Sequence, residues 1–166
     1  MLGLLLGFAA SGVVGSLRPG MPADEADRVL GGGTGLVVSL SDPPNARDPH
    51  GSVGFKDGSL ELWAGPDGRV CLLGYDAVDG QGRFQGPTRL GTEFRQEDGT
   101  PTRAALLDGL DRLGCAWRRD DALTFGDQAA VETEAGVSVV FVRADSAAGE
   151  WLVSSLYVTA PEVGHG

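Results

Sequence analysis

Residues that commonly carry out catalysis or bind metals are scarce in this sequence, which contains two histidines and two cysteines among 166 residues. A zinc site needs three or four His, Cys or carboxylate ligands at fixed spacing. The candidate cluster is Asp42, Asp48 and His50, and one histidine with two scattered aspartates is more typical of a solvated loop. We therefore expect no metal and no other cofactor.

Two motifs of catalytic sites are also missing from the sequence. It contains neither the phosphate-binding pattern Gly-x-x-x-x-Gly-Lys-Ser/Thr nor the nucleophile pattern Gly-x-Ser-x-Gly. The glycine-rich stretch 31–35 lacks the lysine that a phosphate loop requires, and it predicts a helix stop and a connector. The sequence therefore favours a protein that is not an enzyme.

Basic residues are few: 13 Lys and Arg stand against 23 Asp and Glu, a formal net charge of -10 at pH 7. This charge disfavours a nucleic-acid partner, because phosphate binding needs a positive field, and it allows a basic protein partner. The opening segment 1–12 is apolar but too short to cross a bilayer as a helix, and it lacks the basic start of a signal peptide. We interpret it as the first buried segment of a cytoplasmic domain without a membrane partner; a cleaved leader is the alternative.

The two cysteines, Cys71 and Cys115, lie in apolar stretches, where a free cysteine behaves as a small hydrophobic residue. A disulfide between them would need an oxidising compartment. Because we expect a cytoplasmic protein, we expect both thiols to be free and the fold to be independent of a disulfide.

Capping signals and apolar periodicity predict two short helices. The first runs from Pro22 to Leu30, with a proline and two acids in its first turn and Gly31 as its stop. The second runs from Thr102 to Leu113, with Thr100 or Thr102 as its N-cap. The buried stripe expected on the second helix consists of Leu106, Leu107, Leu110 and Leu113.

Short β-rich segments separated by turn signals predict antiparallel strands after each helix. We predict a strand at 36–40, a loop at 41–51 and then three strands that begin at Val53, Leu60 and Arg69. Asp-Gly pairs in the turns between these three strands are a strong hairpin signal. After a long loop at 76–93 with an edge strand around Phe84, further strands are predicted at 123–125, 129–133, 137–142 and 151–158.

The second half of the sequence repeats signals of the first. A Gly-x-Pro start and a Leu-Gly stop flank each predicted helix, with the starts at Gly20 and Gly99. We therefore predict an α+β fold of two tandem halves, each a helix followed by an antiparallel meander. Residues 1–95 would form the first half and 96–166 the second, packed as one globular unit. A coincidental match of two short signals is the alternative.

Residues 17–31, from Leu17-Arg18-Pro19-Gly20-Met21-Pro22 to Val29-Leu30-Gly31, and the later strand Leu60-Glu61-Leu62-Trp63 resemble a broad group of small bacterial proteins. The group comprises the tandem-repeat β-lactamase inhibitory proteins, outer-membrane assembly lipoproteins of similar build and many immunity proteins of actinobacterial toxin systems. This sequence shows no convincing leader and no lipobox cysteine near its start, so it is most similar to the cytoplasmic immunity type. The resemblance implies a non-catalytic protein that neutralises one cognate toxin by binding it.

Acidic pairs and one tryptophan are the candidate partner-binding residues. Trp63 and Glu61 alternate with Leu60 and Leu62, so we expect them on the strand face opposite the core. An exposed tryptophan is a common binding anchor, although a covering loop is the alternative environment for Trp63. Acidic pairs of the second half complete a set that suits a basic target. The predicted set is Glu61, Trp63, Asp120, Asp121, Glu132 and Glu134.

These observations predict an acidic cytoplasmic immunity or toxin-inhibitor protein, whose partner is a cognate toxin with a basic surface. Two alternatives from other classes stay open. One is a small-molecule-binding or enzymatic α+β domain with its pocket between the halves, and the other is a structural or chaperone-like module of a larger assembly. The adjacent gene distinguishes the three, because it would encode a toxin, a metabolic enzyme or an assembly subunit, respectively.

Overall fold

Seven strands and three helices are present in the computed structural model, which describes residues 1–37, 51–79, 82–91, 99–145 and 149–161. The helices are α1 (Leu2–Ser11), α2 (Ala23–Val29) and α3 (Arg103–Leu113). The strands are β1 (Val53–Asp57), β2 (Leu60–Ala64), β3 (Val70–Asp76), β4 (Trp117–Arg119), β5 (Gln128–Thr133), β6 (Ser138–Arg143) and β7 (Trp151–Thr159). In this part of the chain the strands form one antiparallel sheet in the order β1-β2-β3-β7-β6-β5-β4. The α+β class expected from the sequence is confirmed.

The apolar opening segment forms α1 and packs into the core. Leu5, Phe8 and Ala9 are each at most 1% exposed. The ring of Phe8 meets the ring of Tyr75 on β3 edge-on, with 5.5 Å between the ring centroids. The segment is therefore buried, as its composition predicts. None of the described helices is both long enough and apolar enough to span a membrane.

The two capped helices form where their signals lie. Pro22 is the N-cap of α2, and the Thr102 hydroxyl accepts a hydrogen bond from the backbone N–H of Ala105 at the start of α3 (3.2 Å). Gly114 ends α3 with a φ of 70°, a conformation that favours glycine. The prediction of a buried leucine stripe on α3 is wrong at Leu113, which is 60% exposed. The last turn of α3 extends beyond the core that buries the preceding leucines.

One face of the sheet packs against the helices. Along β2, Leu60, Leu62 and Ala64 are buried, while Glu61 and Trp63 between them are partly exposed. The three buried side chains of β2 share one hydrophobic core with residues of all three helices. We call the opposite face, which carries Glu61 and Trp63, the open face. The alternation in the sequence predicted this division correctly.

Three predicted strands have a different outcome. Leu36 is buried without pairing as a strand, and 38–40 lie outside the described residues. Phe84 forms an isolated bridge with Gly99 and is fully buried, so the edge strand expected there is wrong. The strand expected at 123–125 is also wrong, since Phe125 makes only an isolated bridge to Gln128 and is 62% exposed. The other predicted strands coincide with strands of the sheet.

The loop expected to contain Asp42, Asp48 and His50 lies outside the described residues. Both cysteines are described, and neither forms a disulfide. Burial and the nearby Glu134 carboxylate raise the pKa of the Cys115 thiol.

The sheet keeps the strands of the two sequence halves in separate blocks. β1, β2 and β3 occupy one side, β4 to β7 occupy the other, and the blocks join where β3 pairs with β7. Strands of both blocks contribute to one core, whereas the three residues of β4 are exposed. The internal duplication and the boundary between 1–95 and 96–166 stay predictions.

Candidate functional site

A single row of residues crosses the open face from one edge of the sheet to the other. The row contains one residue from each strand, and each residue pairs directly with the next: Lys56, Glu61, Gly74, Tyr157, Ser138, Glu132 and Arg118. Directly opposed residues of an antiparallel pair project to the same face. Each end of the row therefore places a basic side chain beside a glutamate, and the centre carries small side chains and one tyrosine.

Trp63 is held in one orientation on the open face. Its indole Nε1 donates a hydrogen bond of 2.7 Å to Glu61 Oε1. Trp63 also pairs with Gly54 of the neighbouring strand β1. A Cβ atom added to Gly54 would lie 3.0 Å from the indole ring. The ring therefore lies across the neighbouring strand in space that only glycine leaves free.

A shallow hollow of about 230 Å³ lies beside this indole, and we call it the Trp63 hollow. Trp63, Leu72 and Tyr157 contribute its apolar and aromatic lining, and Glu61 and Asp76 contribute carboxylates. Gly74 also lines it, and a Cβ atom there would collide with a backbone oxygen of β7 and lie 3.0 Å from the Cβ of the tyrosine. Glycine at this position therefore keeps the hollow open and lets β3 approach β7 closely.

Lys56 bridges the two carboxylates of the hollow. Its Nζ lies 3.3 Å from Glu61 Oε2 and 3.2 Å from Asp76 Oδ2. Partial desolvation lowers the pKa of Lys56, but the hydrogen bond to Asp76 and the charge of Glu61 outweigh it and raise that pKa above its ordinary value. The lysine side chain is 55% exposed, whereas the Glu61 side chain is 19% exposed. The ammonium group is thus held at the rim of the hollow, over a mostly buried carboxylate.

The far end of the row is an ion pair on β4 and β5. Arg118 donates from Nε (2.9 Å) and Nη2 (2.5 Å) to Glu132 Oε2. Hydrogen bonding to Glu132, together with the negative charge of that carboxylate, raises the pKa of Arg118. The Arg118 side chain is 80% exposed, so the pair contributes little to stability but gives this end of the face a defined polar surface.

The predicted acidic set does not come together in one place, although Glu132 and Glu134 line one hollow of about 360 Å³. Neighbouring strands are about 4.8 Å apart, so Glu132 on β5 lies about 19 Å from Glu61 on β2, on the same face. Asp120 Oδ1 accepts backbone hydrogen bonds from the two residues that follow Asp121, at 3.0 and 3.2 Å, and so shapes the turn after β4. Asp121 is 84% exposed and pairs with an arginine of β4, and Glu134 is exposed in the turn between β5 and β6.

The sequence prediction missed Lys56, Asp76 and Tyr157. Lys56 is the only lysine of the chain, yet its neighbours in sequence give no sign that it contacts an aspartate twenty residues away. The contact follows from the registers of β1 with β2 and of β2 with β3. Tyr157 enters the row only through the pairing of β3 with β7.

Comparisons with known proteins found no similar protein. A scan against protein-family models gave no match, and neither the curated proteins nor the solved structures contained a match. Within the ranges that the structure describes, no group of three or more His, Cys, Asp or Glu side chains is arranged to hold a metal ion. The fold and the site define the chain as an α+β protein with one helix-covered and one open sheet face.

Proposed function

We propose that this protein is a non-catalytic immunity or inhibitor protein, which binds a cognate protein toxin through the open face of its sheet and so neutralises it. The observation that carries the proposal is the row of paired side chains across all seven strands, with Trp63 held beside it. A protein partner suits a face of this width better than a small ligand does. The sequence resemblance to immunity proteins supports the same function.

The aromatic part of the face suits a binding anchor. Tryptophan is enriched among the residues that dominate binding energy, and such anchors gain when their orientation is set before binding. Trp63 has this property, because Glu61 holds its indole N–H and Gly54 leaves the space beneath its ring. Two residues of the row, Gly74 and Ser138, are small and leave room for a partner to approach.

Charge supports a basic partner. The net charge of -10 produces a field that speeds association with a basic protein. On the open face itself, Glu61, Asp76 and Glu132 outnumber Lys56 and Arg118. The face therefore keeps the sign of the whole molecule, and steering and docking favour the same kind of partner.

The Trp63 hollow also bears on the alternative of a small-molecule site between the halves. It lies at the junction of β3 and β7, where that alternative puts its pocket. Sites for small molecules usually have volumes of about 300–1,000 Å³, whereas this hollow has about 230 Å³ and opens onto the sheet. Its size supports contact with a single side chain of a protein partner.

The test is co-expression with the product of the adjacent gene, followed by a pull-down and binding kinetics. Trp63→Ala should speed dissociation about thirtyfold or more, as truncation of an anchor residue does. The matched control is Trp151→Ala, since Trp151 is also partly exposed but lies against Arg103 of α3 on the helix side. Equal effects of the two variants would contradict binding through the open face.

Charge reversal tests the electrostatic part. Glu132→Lys should slow association and reduce its salt dependence, because the attractive field weakens at the interface. Asp24→Lys on α2 changes the net charge equally but lies on the helix side of the sheet, and it should change association less. If neither variant alters association, the partner is not recognised by this charge.

A further inference from the structure

A cation of the protein itself already contacts both carboxylates that line the Trp63 hollow. Lys56 lies on the edge strand β1 and extends past Glu61 to reach Asp76 on β3, with its ammonium group within 3.3 Å of both carboxylates. No other lysine occurs in the sequence. Because the Lys56 side chain is about half exposed, its ammonium group can leave the two carboxylates without rearrangement of the core.

The walls of the hollow also suit a cation. Trp63 and Tyr157 line it, and aromatic faces attract guanidinium and ammonium groups, with tryptophan the strongest. The indole N–H is turned toward Glu61, which leaves the second oxygen of that carboxylate to Lys56. A cation in the hollow therefore finds two carboxylates and two aromatic rings.

The size and spacing of these groups favour one type of side chain. At about 30 Å³ for each water molecule, the hollow has the volume of about eight waters, which fits one long side chain. A guanidinium group offers five donors in a planar fork, which can bond two carboxylates at once and stack on an aromatic ring. An ammonium group such as that of Lys56 acts as a point charge without this geometry.

We propose that the Trp63 hollow receives an arginine side chain of the bound partner, with Glu61 and Asp76 accepting its guanidinium and Lys56 moving out to solvent. Lys56 then acts as an internal placeholder, which offsets one of the two carboxylate charges until the partner binds. Displacing Lys56 costs every ligand the same free energy, so the ligand with the strongest contacts of its own, a guanidinium group, is the one that still binds. This assignment rests on the proposed function for the identity of the partner, whereas the chemistry of the hollow can be tested alone.

The test uses the full chain and a small probe, N-acetyl-arginine amide, with N-acetyl-citrulline amide as the uncharged probe of the same shape. Binding is followed by NMR from the indole N–H of Trp63 and from labelled lysine, which reports only Lys56. We expect saturable shifts of both signals with the arginine probe and none with the citrulline probe. N-acetyl-lysine amide should bind more weakly than the arginine probe.

Variants identify the groups responsible. Lys56→Gln should bind the arginine probe about fivefold more tightly, because an exposed competing ion pair is removed. Glu61→Gln and Asp76→Asn should each weaken binding about fivefold or more. Arg28→Gln, which removes a cation paired with Asp24 on α2, should leave probe binding unchanged. Thermal unfolding of each variant checks that the fold is retained.

Equal binding of the arginine and citrulline probes, or unchanged binding in Lys56→Gln, would overturn the inference. So would a lysine probe that binds as tightly as arginine. The two proposals can fail separately. If the arginine probe behaves as expected but the adjacent gene product is not bound, the proposed function is wrong and the hollow is still a guanidinium site. If the gene product is bound through Trp63 but no probe binds, the inference is wrong and the proposed function stands.

Discussion

Replacement of Tyr75 by phenylalanine should stabilise this protein. Tyr75 is 1% exposed, and its hydroxyl is buried without a hydrogen-bond partner among the residues that the structure describes. Burial and, to a smaller extent, the charge of Asp57 raise the pKa of Tyr75 far above its ordinary value, so the hydroxyl stays protonated. Phenylalanine keeps the ring that packs edge-on against Phe8 and removes only the polar atom.

The magnitude follows from the cost of an unpaired buried hydroxyl, which is about 1–3 kcal/mol in proteins. The new side chain is slightly smaller, and the lost packing offsets a small part of this gain. We therefore expect the free energy of unfolding to rise by about 1–2 kcal/mol. For a chain of this length each kcal/mol raises Tm by about 2–4 °C.

The assay is urea unfolding at pH 7, followed by circular dichroism, with thermal unfolding as a second measure. Tyr157→Phe is the matched control, because it removes the only other tyrosine hydroxyl, which lies on the open face. This control should change the free energy of unfolding by less than about 0.5 kcal/mol. If Tyr75→Phe instead lowers stability by 1 kcal/mol or more, the hydroxyl has a hydrogen-bond partner and our reasoning about it is wrong.

Three further predictions concern local contacts. Gly74→Ala should lower the free energy of unfolding by about 2 kcal/mol or more in urea unfolding, because the new Cβ atom collides with β7. Gly7→Ala is the matched control in α1, where the new Cβ atom has open space around it. This variant should raise the free energy of unfolding by about 0.5–1 kcal/mol. Thr102→Ala should cost about 1 kcal/mol through loss of the α3 cap, whereas Thr102→Ser should stay close to wild type in the same assay. The hydroxyl and backbone N–H of Thr34 bond Asp27 and lower the pKa of its carboxyl group. Such a group adds stability above its unfolded pKa and loses it as the pH falls through the folded pKa. Thr34→Val should therefore be less stable than wild type at pH 7, and the difference should shrink as unfolding is measured toward about pH 3; a difference that is constant with pH would contradict the role of Asp27.

The sequence predicts the local elements well, because their signals act over a few residues. Asp-Gly pairs mark the turns that flank β2, and the cap at Thr102 and the stop at Gly114 bound α3. Alternation along β2 correctly divides its residues between the core and the open face. The same periodicity does not show where a packing partner ends, and for this reason the prediction that Leu113 is buried is wrong.

For the candidate site, the amino-acid sequence is enough to place Glu61 and Trp63 on one face of a strand. It also sets the acidic charge of the molecule. Both properties depend on composition and on the two-residue period of a strand. They predict a binding surface but not its extent or its other members.

The pairing of β3 with β7, and the register of that pair, are set by the packing of the whole fold. That pairing brings Tyr157 beside Gly74, and the registers of β1 to β3 bring Lys56 to Asp76. Residues so distant in sequence meet because the whole sheet buries one face against the helices, and this global packing sets each register. No local pattern encodes such a choice, so the row across the open face and the Trp63 hollow become visible only in the folded protein.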